Sequence, residues 1–169
     1  MIQYRVSRWA GLMSWVRRLA LAALVVALSA CDDGSEVTID EGEVLPYEQI
    51  GFGQRAQSHE PIEELARDES EWNALAKRVR PLEPFKTVNF SQEMVALIAV
   101  PTESGGYAIE VDQAEVVRDT VVISYVVYTP GSDCISTMGL AQPFQAVSLK
   151  QAPGIVRFER RNERYSCDM

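Results

Sequence analysis

At 169 residues with a net charge of −8, the chain has room for one folded domain around a single core. Its acidic balance repels nucleic-acid phosphates and anionic lipid headgroups, which argues against both as partners.

The N-terminus carries Arg5, Arg8, Arg17 and Arg18 with no acid before Asp32, followed by an uncharged Ala/Leu/Val run from Leu19 to Ala30. This is the layout of a signal peptide, a positive n-region and then an h-region. A run of about a dozen apolar residues is short of the roughly 20 that a spanning helix needs, so residues 1–30 are read as cleaved rather than as a permanent anchor. The run ends in Leu28-Ser29-Ala30-Cys31, which resembles the lipobox of bacterial lipoproteins. That resemblance implies acylation of the Cys31 thiol, cleavage before it, and a mature chain held to the membrane through its lipid, since two or more acyl chains hold firmly where one does not. The expected place is the cell envelope, facing the periplasm. Asp32 directly after the anchor resembles the signal that retains lipoproteins in the inner membrane of enteric-type bacteria, with the outer membrane as the alternative. Loss of residues 1–30 removes four arginines and no acid, which moves the net charge from −8 to −12.

Residues 31–43 combine the anchor with a tether rich in Asp and Glu, poor in large apolar groups and free of base, a composition suited to a solvated linker. The folded domain is expected over 44–169. A short extended segment ends at Ile50, where Gly51 and Gly53 are expected to break it. Trp72, Leu75, Ala76 and Val79 recur at helical spacing, Asp68 with Glu71 resembles a capping box, and Pro81 ends the helix. Adjacent acids, as in Glu63-Glu64 and Asp68-Glu69, are read as helix-start chemistry.

From Val88 onward the pattern is that of strands. Met94 to Val100 is a continuous apolar run, Tyr107 to Val117 alternates, and Val121 to Tyr128 is rich in β-branched and aromatic residues. Gly105-Gly106 and Arg118-Asp119 are placed as hairpin turns, and Pro153-Gly154 separates two further strands, Phe144 to Leu149 and Ile155 to Phe158. The expected fold is α+β and β-rich, an antiparallel sheet of five or six strands with at least one packed helix.

No catalytic set is legible in the chain. His59 is expected on a loop, and no Gly-x-Ser-x-Gly elbow surrounds a serine. The tether lacks the spacing of a calcium loop and Gly105-Gly106 lacks the residues of a phosphate-binding loop, so no metal or cofactor is expected. With Cys31 lipidated, Cys134 and Cys167 remain as an even pair in a compartment that permits disulfides, and they are expected to be bonded. Of one histidine and three cysteines, this leaves too few ligands for a zinc site.

Ser104-Gly105-Gly106-Tyr107 entering a strand, Val121 to Tyr128, Pro130-Gly131-Ser132-Asp133-Cys134 and Gln142-Pro143-Phe144 before a last strand together resemble the PrcB C-terminal domain. Glu71-Trp72 and Val88-Asn89-Phe90-Ser91 fit the same pattern, so the likeness spans roughly residues 60–150. Asn89 stands where an aspartate is expected. The domain is named after an accessory lipoprotein subunit of a bacterial surface protease complex. The resemblance implies a small β-rich domain on a lipid anchor that acts by contacting another envelope protein, a protease among the candidates, and not as an enzyme. The loops around Gly105, Gly106 and Tyr107 and from Asp133 to Gln142 are the expected interaction surface, because exposed loops carry function more often than strands do. The alternative is a small-ligand-binding lipoprotein with a pocket between helix and sheet, lined by Trp72, Tyr125 and Phe144.

Overall fold

The computed structural model describes residues 42–168. The signal segment, Cys31 and the tether up to Glu41 lie outside the described residues. In chain order the elements are β1 (Glu43–Val44), β2 (Tyr47–Gly53), β3 (Arg55–Ala56), β4 (Ile62–Ala66), α1 (Glu69–Ala76), β5 (Val79–Arg80) and β6 (Glu93–Ala99). They continue with β7 (Thr102–Ser104), β8 (Ala108–Val117), β9 (Thr120–Pro130), β10 (Met138–Ala141), β11 (Phe144–Lys150) and β12 (Ile155–Tyr165).

The central strand explains the architecture. Along β6 successive side chains point to opposite faces, and every residue from Met94 to Ala99 is buried. Met94, Ala96 and Ile98 join one core, while Val95, Leu97 and Ala99 join another. An unbroken apolar run therefore marks a strand covered on both faces, which requires a layer on each side. One layer is a four-stranded sheet in the order β1-β8-β9-β12, and the sheet that contains β6 has the order β2-β11-β6-β4. Their facing sides interdigitate through Val111, Val121, Ile123 and Tyr125 against Met94, Ile98, Val147 and Leu149. On the far side of β6, Trp72 and Leu75 of α1 close the second core with Val79 and Phe144. Each such side chain contributes roughly 1.5–3 kcal/mol by leaving water.

The expectation of one antiparallel five- or six-stranded sheet in an α+β domain is corrected: the described residues form two four-stranded sheets and two ribbons, β10-β7 and β3-β5, with one short helix. The pairing is mixed as well, because β12 runs parallel to β9 along its whole length. Apolar periodicity reports which residues face inward. It does not report which strands become neighbours, and here the chain leaves β11 and crosses to the other sheet instead of turning back as a hairpin.

Several local expectations are revised for identifiable reasons. The helix starts as expected, with the Asp68 side chain accepting from the Glu71 amide at 2.8 Å, but it stops at Ala76. Val79 lies in β5, buried by pairing with Ala56. Glu63 and Glu64 belong to strand β4, where Glu64 pairs with Arg78. Gly51 and Gly53 sit inside β2; a Cβ at Gly51 would collide with the Phe85 ring, so glycine here admits an aromatic onto the backbone. Arg118-Asp119 does join the antiparallel pair β8 and β9, with Arg118 at φ 55°. Gly105-Gly106 joins no hairpin, because β7 pairs with β10 and β8 with β9.

A β-bulge interrupts the alternation of β8, where the register slips between Val111 and Gln113. Inward positions thus run Ile109, Val111 and then Ala114, as one extra residue demands. Both backbone polar groups of Val111 are met from the facing sheet. Its amide donates to Gln145 Oε1 at 2.7 Å, and its carbonyl accepts from the Tyr47 hydroxyl at 2.8 Å.

Candidate functional site

The segment between β9 and β11 is held as a flap at one end of the molecule. Pro130-Gly131 closes β9, and the Gly131 amide donates to the Tyr165 carbonyl at 2.8 Å, which brings the C-terminal tail alongside. Asp133 then clamps that tail: its Oδ2 accepts from the Ser166 hydroxyl at 2.8 Å and from the amides of Cys167 at 2.5 Å and Asp168 at 3.0 Å. These donors, the Ser166 hydroxyl foremost, favour the carboxylate and draw the Asp133 pKa down to about 2. Next to the clamp, the Cys134 and Cys167 sulfurs stand at bonding distance with Cα atoms 5.1 Å apart, the spacing of a disulfide-capable pair.

The remainder of the flap rests on neighbouring loops. Thr137 accepts from the Gly105 amide at 3.1 Å, and β10 pairs with β7. Gly106, at φ +88°, needs the left-handed conformation that glycine tolerates, and its carbonyl accepts from the Tyr165 hydroxyl at 2.7 Å. At the flap's far root, the Gln142 amide donates to the Gln54 carbonyl at 3.1 Å and its side chain reaches the Ser58 carbonyl. Gln54 in turn reaches the Tyr107 carbonyl at 3.4 Å. The five residues expected to mark the interaction loops, Gly105, Gly106, Tyr107, Asp133 and Gln142, thus meet in one neighbourhood linked by these bonds.

The flap also displays three apolar side chains outside the residues expected to mark the site. Ile135, Met138 and Leu140 are 104%, 101% and 87% exposed. Single exposed apolar residues are ordinary on a protein surface; three within six positions of one braced segment concentrate apolar side chains in water there. The signal is masked because only Met138 and Leu140 have strand spacing, on the short β10, and Ile135 falls outside it. All three lie within the expected loop, but its polar residues turn out to be fasteners and its apolar residues the display.

Other candidates are not brought together. His59 is exposed at a bend. Among the described residues no group of three or more His, Cys, Asp or Glu is placed to hold a metal ion, and no helix is long and apolar enough to cross a membrane. The pocket expected between Trp72, Tyr125 and Phe144 is corrected: Trp72 and Phe144 lie in the core under α1, whereas Tyr125 lies in the core between the sheets. Trp72 is filled against by Phe85, edge to face at 4.8 Å. The Tyr125 hydroxyl bonds Glu63, and burial first, then that carboxylate, pushes its pKa well above the ordinary tyrosine value.

Residues 94–150 match the model of the PrcB C-terminal family. The match begins with β6 and ends with β11, so it includes the flap and the two central strands of the β2-β11-β6-β4 sheet and leaves out α1 and β12. No curated protein and no solved structure matches the chain.

Proposed function

We propose that the chain is a lipid-anchored extracytoplasmic protein that serves as a non-enzymatic interaction module, an accessory or regulatory subunit of an exported protease, and that the flap over residues 131–142 is its docking surface. The observation that carries this reading is the exposure of Ile135, Met138 and Leu140 on a loop fastened by the Asp133 clamp and the Cys134 and Cys167 pair. A braced loop loses little conformational freedom on binding, and apolar side chains left in water gain most when a partner covers them. The family match over residues 94–150 supports a protease-associated role. The sequence Leu28-Ser29-Ala30-Cys31 supports anchorage through lipid on Cys31, in the envelope and facing the periplasm, with Asp32 favouring the inner membrane.

The test is capture of partners by the full-length protein, crosslinked in its native envelope and identified by mass spectrometry, beside the variant Ile135→Ser/Met138→Ser/Leu140→Ser. The expected result is an exported protease among the reproducible partners of the wild type and its loss with the variant. Because all three side chains are exposed, the variant should keep its stability within about 0.5 kcal/mol. A wild type with no reproducible partner, or a variant that captures the same set, overturns the reading.

A further inference from the structure

Next to the flap root, the ribbon β3-β5 sets Arg55 directly opposite Arg80. Residues directly opposite in an antiparallel pair point to the same face. Their ribbon neighbours Ala56 and Val79 fill the core on the other face, so both arginines point outward, and both are exposed. Like charges set directly across a ladder are destabilising.

The surroundings do nothing to relieve this. The chain has 24 acidic against 16 basic residues, and nearby Arg78 is paired with Glu64. Among the described residues, however, neither Arg55 nor Arg80 takes part in an ion pair or a side-chain hydrogen bond. Arg55 and Arg80 line a cleft of about 410 Å³ together with Leu140 and Gln142 of the flap. An apolar edge therefore borders an uncompensated double positive charge.

Building on the proposed docking role, we infer that this cleft receives an acidic side chain of the partner protein, an Asp or Glu flanked by an apolar residue that rests on Leu140. A guanidinium fork matches a carboxylate in two parallel hydrogen bonds. A second guanidinium directly opposite adds to the positive charge that such a carboxylate meets. The exposed apolar side chains would supply contact area and the arginine pair the register and the choice of partner.

The experiment uses the full-length protein in nanodiscs of neutral phospholipid and two dye-labelled, end-blocked peptides, one alternating Leu and Glu and one alternating Leu and Gln, followed by fluorescence anisotropy. The wild type should bind the Glu peptide about tenfold or more tightly than the Gln peptide, a preference of about 1.4 kcal/mol. Arg55→Gln/Arg80→Gln should erase that preference, and Leu140→Ser should weaken both peptides alike. Equal binding of the two peptides by the wild type, or a preference that survives in the double variant, overturns the inference. Capture of a protease partner in the envelope that does not change in Arg55→Gln/Arg80→Gln sinks the inference and leaves the docking role standing. Peptide discrimination without any envelope partner does the reverse.

Discussion

Strand β6 and the flap over residues 131–142 are opposite solutions to the same problem of holding a backbone in place. In β6 the side chains do the work, because every position from Met94 to Ala99 is buried in one of two cores. In the flap, Ile135, Met138 and Leu140 point to water, and order comes instead from a carboxylate clamp, a cysteine pair and hydrogen bonds at the two roots. A strand held by its apolar side chains has none to offer a partner. A loop held by polar and sulfur contacts keeps its apolar side chains available, and the cost is that its order depends on a few fasteners.

The largest effect expected from this contrast is in the core. Leu97 is fully buried against the residues under α1, and Leu97→Ala should cost about 2–5 kcal/mol in urea unfolding. Its folded fraction should still present the flap unchanged. A cost below about 1 kcal/mol would mean that the second core repacks freely, and the contrast would lose one side.

The next effect lies in the fasteners. The cysteines are separated by 33 positions, and for a bonded pair Cys134→Ser/Cys167→Ser should lower stability by about 4 kcal/mol on the chain-entropy model. It should also speed proteolysis within the flap, while amide exchange in β6 rises only to the extent that global stability falls. Flap amides that stay as protected as in the wild type would show that the clamp alone suffices.

The contrast also separates what the sequence reveals from what it hides. The strands around β6, β8, β9 and β11 are legible because burial writes itself into apolar runs and alternation, and the α1 start is legible because its capping residues are local. Sheet membership is not, since the pairing of β12 with β9 joins residues far apart in the chain. The length of β12 is hidden as well: beyond Phe158 it is a mostly exposed run of charged residues without apolar alternation, and Arg161 pairs with Asp112 of β8. On the flap, the turn residues Asp133 and Gln142 can be read as loop formers. Their function as fasteners depends on tail and loop backbone that only the fold brings near.

The smallest effect is confined to the clamp and depends on pH. The Asp133 carboxyl titrates at about 2 in the folded chain against an ordinary 3.8. Above 3.8 the group is ionised whether the tail is docked or released, and the clamp contributes its full stabilisation. As pH falls below 3.8 the released form takes up a proton while the docked form stays ionised, so release becomes progressively easier, and the contribution is gone once pH passes below about 2. Asp133 is exposed, so this change should be local and leave β6 untouched. By NMR, the amide protons of Cys167 and Asp168 should shift with a midpoint near about 2 in the wild type, and in Asp133→Asn they should lack that titration and exchange faster at neutral pH. A midpoint at the ordinary carboxylate value would mean that the tail is not clamped in solution, and the cysteine pair and the Gly131 to Tyr165 hydrogen bond would then tie the flap to the tail.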